Sequence, residues 1–234
     1  MPADDAGNPP PVTASAAESA GARMIYTLGG LGLVCGVLIV AAFQFTLPAI
    51  ERNKAEALEK AIFEVIPGAK TKSLFEDRAG MLVAAQGNDG SGARYYAGYD
   101  QDRHLVGVAV ETTGQGFADV LRVIYGYSPQ KQAIVGLKVL ESHETPGLGS
   151  KIETDPRFLN NFEALDVATT KDDARIQNPI ALAKRGDKSH PWQVEAITGA
   201  TISSRAITDI LRTSTQVTVP VIRRNLQALE RGAS

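Results

Sequence analysis

The stretch Thr198-Gly199-Ala200-Thr201-Ile202-Ser203-Ser204 decides the reading of this chain, because Ile202, Ala206, Ile207, Ile210 and Leu211 follow as one apolar helical stripe. Gln193 to Ile197 reads as a strand entering it. The Thr201 hydroxyl therefore falls at a strand-to-helix turn, where the first backbone N–H groups of the helix have no intrahelical acceptor. Such a turn suits a phosphate. Ser, Thr and Gly ahead of a helix are also ordinary capping residues, so this motif alone does not separate a cap from a site.

A second segment lies upstream, Ser142-His143-Glu144-Thr145-Pro146-Gly147-Leu148-Gly149-Ser150-Lys151-Ile152. By composition it is a tight loop closing a hairpin strand, with Pro146-Gly147 forming the turn. Together the two segments resemble the FMN-binding domain of the G subunit of the Rnf electron-transport complex. Its relative, the C subunit of the sodium-pumping NADH:quinone oxidoreductase, carries a similar pair. The resemblance implies FMN attached covalently to Thr201 through a phosphoester, with Thr198, Gly199, Ala200 and Ser203 around the phosphate. It assigns Glu144, Thr145, Gly147, Leu148 and Gly149 to the flavin ring, Leu148 lying against its face. A Thr hydroxyl is a weak nucleophile and the sequence sets no base beside it. The resemblance supplies a separate flavin transferase that uses FAD as donor. Glu195 stands where the family usually carries Asp ahead of the modified Thr. The Lys151-Ile152 ending favours the Rnf G subunit over the sodium-pump C subunit. The latter, and a non-redox anchored binding module, are the alternatives.

The composition narrows the chemistry. A net charge of -2 over 234 residues, without basic stripes interleaved with aromatics, gives no footing for nucleic acid. The single Cys35 forms no intrachain disulfide, and no Cys/His spacing suits a metal. Any redox centre is then an added organic cofactor. No G-x-S-x-G elbow supports a hydrolase, and no catalytic residue is expected. His143 and Lys151 read as ordinary surface side chains.

From Met24 to Ile50 there is no charged residue, which predicts a membrane-spanning helix. Gly32 and Gly36 in it form a G-x-x-x-G pair suited to close helix approach. Arg52, Lys54 and Lys60 follow the span against the single Arg23 before it, a bias that would hold the large domain in the cytoplasm. The resemblance implies the opposite: a single-pass protein of the bacterial inner membrane, its domain facing the periplasm, partnered by other Rnf subunits, some of them membrane-embedded.

The expected organisation is an unfolded tail over 1–22, a transmembrane helix over 23–50, a connecting helix over 51–68 and an FMN-binding domain over 69–234. The fold class is α+β, an antiparallel sheet with packed helices. Strands are expected over Met81–Ala85, Arg94–Tyr99, His104–Thr112, Val120–Tyr127 and Ala133–Leu140, the last two joined as a hairpin by 128–132. A short helix is expected over 154–166, and Pro220 is expected to interrupt or end the helix after Thr201 before a last piece, Val221 to Leu229.

Overall fold

Strand alternation builds a sheet with two apolar faces. The structure is a computed structural model that describes residues 14–85 and 93–232, with side chains from Arg23 onward. The chain divides into two compact units, Met1–Ala55 and Glu56–Ser234. In the first, helix α1 (Ala14–Val65) begins. Residues 1–13 of the expected tail lie outside the described residues, and α1 already includes the remainder. An 18-residue stretch of the segment Arg23–Val65 reaches a mean hydropathy of 2.2 with none of it buried, so the helix is long and apolar enough to cross a membrane. Pro48 lies inside α1, which the sequence divides into a span and a connector. Proline costs one backbone hydrogen bond, a loss that membrane helices tolerate.

The second unit is α+β. Strands β1 (Thr71–Arg78), β2 (Met81–Ala84), β3 (Arg94–Tyr99), β4 (Leu105–Gln115), β5 (Val120–Ser128), β6 (Ala133–Glu141) and β7 (Leu165–Asp166) form one sheet in the order β2-β1-β3-β4-β5-β6-β7. Every neighbouring pair is antiparallel. The expected strands agree to within a few residues at their ends. Strand β1 lies outside the expected set, because only Leu74 and Phe75 among its residues are apolar. Its ladder to Tyr95–Tyr99 creates it.

Beyond β6 come α2 (Lys151–Thr154), α3 (Pro156–Leu159) and a 3-10 turn, Asn160–Phe162, in place of the single short helix expected there. Asp155 stays extended before Pro156, as sterics at a residue preceding proline require, and its carboxylate caps α3 by accepting from Arg157 N–H at 2.9 Å. Strands β8 (Ala181–Ala183) and β9 (Gln193–Glu195) pair parallel outside the main sheet. The strand entering the Thr201 turn is thus a short one with its own partner. Helix α4 (Thr201–Arg224) follows, then α5 (Leu226–Arg231). Pro220 does not end α4: Val219, Pro220, Val221 and Ile222 are all buried, and their packing holds the helix through the missing bond. The break comes at Asn225, whose side chain bonds Gly80 O, Val221 O and Leu82 N.

Each sheet face has its own cover. Tyr95, Val108, Val110, Val123, Tyr125 and Tyr127 pack with Ile207, Ile210, Leu211, Val219 and Ile222 of α4 and with Leu229 of α5. Tyr96, Ala109 and Ile124 on the opposite face pack with Ala61, Ile62, Val65 and Ile66, at and just past the end of α1. On this side Gly98 faces Gly107 and Gly126 faces Gly136 across paired strands. A Cβ at Gly136 would lie 2.7 Å from the Val65 backbone, one at Gly126 would meet the Val65 carbonyl, and ones at Gly98 and Gly107 would lie 3.0 Å from the Ile66 side chain. The bare backbone is what lets the helix end sit on the sheet.

Alanine at Gly126 is therefore expected to destabilise the full chain in detergent by about 1–3 kcal/mol. Alanine at Gly30, where a Cβ meets nothing within 4 Å, is expected to leave the unfolding midpoint of the domain unchanged. Denaturant unfolding followed by tyrosine and tryptophan fluorescence measures both.

Candidate functional site

Three segments far apart in the sequence converge on one cleft. They are the β4–β5 link (116–119), the loop beginning at Glu144, and the turn leading into α4. The link is closed by Gly116 N–H donating to Asp119 O at 2.9 Å. The second loop is a run of tight turns: Leu148 and Ser150 N–H both donate to Thr145 O, and Gly147 N–H donates to Ser150 Oγ at 2.9 Å. Gly147 has φ +75°, a conformation that excludes most side chains. In the third segment Gly199 has φ +85° and turns the chain so that α4 starts at Thr201.

The N-terminus of α4 is open. Ala200 occupies the cap position with no side-chain hydrogen bond, so the N–H groups of Thr201, Ile202 and Ser203 are left without the usual Ser, Asp or Asn partner. Ser204 steadies the turn from beneath, its hydroxyl donating to Ala200 O at 2.9 Å and accepting from Ile197 N–H at 3.1 Å. Thr201 is exposed, and among the described residues no side chain hydrogen-bonds its hydroxyl.

Glu144 ties the three segments together. Although charged, it is only 5% exposed. Its Oε1 accepts from Phe117 N–H at 2.6 Å and Ala118 N–H at 3.2 Å, and its Oε2 accepts from the Ser203 hydroxyl at 2.6 Å. Gly149 packs against this carboxylate and Ser203 so tightly that a Cβ has no room.

The resulting cleft, about 350 Å³, is lined by Phe117, Glu144, Thr145, Leu148, Gly149 and residues 199–203. Phe117, Leu148 and Ile202 stand at its mouth 60%, 51% and 59% exposed. Exposed large apolar groups clustered at one mouth are the ordinary signature of a ligand surface.

Eight of the ten residues named from the sequence line this cleft: Thr201, Gly199, Ala200, Ser203, Glu144, Thr145, Leu148 and Gly149. Gly147 shapes the turn from outside it. Thr198 lines a neighbouring cleft with Lys151, Arg157, Arg185 and Glu195, where its hydroxyl is 3.5 Å from Arg185 Nη1. Glu195 there accepts from Gly186 N–H at 2.9 Å. His143 is exposed and lies 3.4 Å from Asp119. Sequence reasoning missed Phe117. The visible cue is an aromatic residue in a turn flanked by Gly116 and Ala118, where nothing local would bury it.

Residues 116–216 match the FMN-binding domain family, a span that holds all three segments. The G subunit of the ion-translocating oxidoreductase complex from Methanosarcina acetivorans is 32% identical over 192 residues, covering 82% of this chain and 91% of that protein. Its namesake from Haemophilus influenzae is 28% identical, covering 86% and 89%. Among solved structures the fold is similar to NqrC of Shewanella oneidensis, with a TM-score of 0.58 at 16% identity over 78% of this chain and 98% of that one. It is also similar to the C subunit of the Na+-translocating NADH-quinone reductase from Parabacteroides distasonis, with a TM-score of 0.53 at 18% identity over 73% and 94%. With its open helix terminus and apolar-mouthed cleft inside the matched span, the chain belongs to the family of G subunits of ion-translocating oxidoreductase complexes.

Proposed function

We propose that this chain is the flavin-carrying G subunit of an Rnf-type ion-translocating oxidoreductase complex, with FMN esterified to Thr201. The observation that carries the reading is the meeting of Thr201, at an uncapped helix N-terminus, with the Thr145–Gly149 loop in one cleft. The two ends of the cleft suit the two ends of FMN. Free N–H groups and the helix dipole at Thr201 favour a phosphate, and Gly199 keeps the approach clear. Phe117, Leu148 and Ile202 offer apolar surface to a flat ring system, while Thr145 offers a polar group at its edge. When bound, FMN supplies transfer of one or two electrons.

The residues around Thr201 also bear on how the ester forms. Among the described residues no base hydrogen-bonds the hydroxyl, and the Glu144 carboxylate in the same cleft has both its oxygens engaged. The chain therefore relies on a separate transferase to activate Thr201, with FAD as donor and AMP leaving as the phosphoester forms. Attachment makes sense for a domain outside the cytoplasm, where lost FMN is not readily replaced. We take the domain after the span to face that side, as long domains translocate despite the Arg52, Lys54 and Lys60 bias.

Thr201→Ala, co-expressed with a flavin transferase, is expected to lose all in-gel flavin fluorescence after denaturation while keeping the wild-type unfolding midpoint. A fluorescent band that persists would refute the attachment site. Phe117→Ala and Leu148→Ala are expected to retain the fluorescent band but shift the visible absorption of the folded protein, since each removes apolar contact with the ring. Identical spectra in both variants would turn the mouth residues back to a purely structural part. Fusion of alkaline phosphatase after Ser234 is expected to give an active reporter, and an inactive one would put the domain in the cytoplasm.

A further inference from the structure

Glu144 is at odds with its surroundings. It is a buried anion on the wall of a cleft read as the seat of a phosphate-bearing cofactor, where a further negative charge is electrostatically unfavourable. Its partners are two backbone amides and one hydroxyl, and among the described residues no Lys, Arg or His reaches it. Oε1 takes the two amides and Oε2 the hydroxyl, so both oxygens of the carboxylate are held. The backbone closes around it without side chains: a Cβ at Gly116 would lie 2.5 Å from Oε1, and one at Gly149 would collide with Oε2. Neutral donors stabilise the charge but do not cancel it, so its field reaches whatever occupies the cleft.

We propose that Glu144 is a positioning residue with an electrostatic task. Its carboxylate locks the β4–β5 link to the first turn of α4, and its uncancelled charge holds down the reduction potential of the flavin beside it. Reduction adds negative charge to the ring system, and a fixed anion in a low-dielectric wall opposes that addition. Ser203 moderates the effect by donating to Oε2. The inference rests on the flavin reading of this cleft.

Three variants of the full chain, co-expressed with a flavin transferase, separate the two parts of the role. Glu144→Gln keeps the tie, because the amide oxygen accepts from Phe117 and Ala118 while the amide nitrogen donates to Ser203 Oγ, but it removes the charge. Its midpoint potential is expected to rise by the equivalent of at least a tenfold change in the reduction equilibrium, about 30 mV for a two-electron couple. Ser203→Ala keeps the charge and removes one donor, so the potential is expected to fall. Glu144→Ala removes both charge and tie. When it is expressed without the transferase, its Phe117 and Ala118 amides are expected to exchange hydrogen faster than in the wild type or Glu144→Gln prepared in the same way. A packing role alone does not produce shifts of opposite sign in Glu144→Gln and Ser203→Ala. Unchanged potentials in both would overturn the proposal. So would a folded Glu144→Gln chain that carries no flavin, which would assign the carboxylate to attachment instead. Absence of fluorescence from the wild type refutes the flavin reading itself, and is distinguishable from either result.

Discussion

Helix α4 lies so close to β4 that Gly114 has no room for a Cβ beneath the Ile210 side chain. That contact fixes where the helix starts. Because α4 is held against β4, its first turn comes to the β4–β5 link, and Thr201 opens beside Phe117. The buried face of α4 carries hydroxyls as well as apolar groups, and three of them are satisfied within the helix: Thr208, Thr215 and Thr218 donate to the carbonyls of Ser204, Leu211 and Ser214 one turn back. Tyr125 reaches up from the sheet to Ser214 and Thr218 at 2.9 and 2.7 Å. Burial pushes its phenol up to about 12, although those two hydrogen bonds act the other way. The tie from Tyr125 to Ser214 and Thr218 is thus one between neutral groups at physiological pH.

The opposite face solves a different problem. The end of α1 lies so close to the strand ladder that side chains have no room directly beneath it, and the glycine pairs 98/107 and 126/136 leave that room where Val65 and Ile66 sit. Ala61 and Ile62 fill the space alongside. Both faces of the central strands are then covered, which explains why β4 and β5 are apolar on both sides along much of their length. The division of labour follows: one face seats α4 and with it the cleft, and the other seats the last turns of α1 within the same unit.

Strands β3 and β5 are legible as short, nearly continuous apolar runs, Tyr95–Tyr99 and Val123–Tyr127, the pattern of strands covered on both faces. Strand β1 is not, since Lys72, Glu76, Asp77 and Arg78 carry no such signal and its neighbours β2 and β3 recruit it. Pro220 misleads for a related reason. Local chemistry says that proline breaks a helix, yet the burial of Val219 to Ile222 outweighs one missing hydrogen bond, and the chain breaks instead at Asn225, where a side chain is available to satisfy the freed groups.

By itself the sequence determined that the uncharged stretch from Met24 to Ile50 is a helix apolar enough to cross a membrane, that an α+β domain follows, and that Thr201 starts a helix after a glycine turn. These are local facts, carried by composition, periodicity and the conformational freedom of Gly147 and Gly199. Only the tertiary structure decided which residues share the cleft. It brought in Phe117, sent Thr198 to the adjacent cleft with Arg185, and gave Glu144 partners 26, 27 and 59 residues away. A buried carboxylate takes whichever donors the packing brings within reach, and at such separations nothing in the local pattern of residues specifies them.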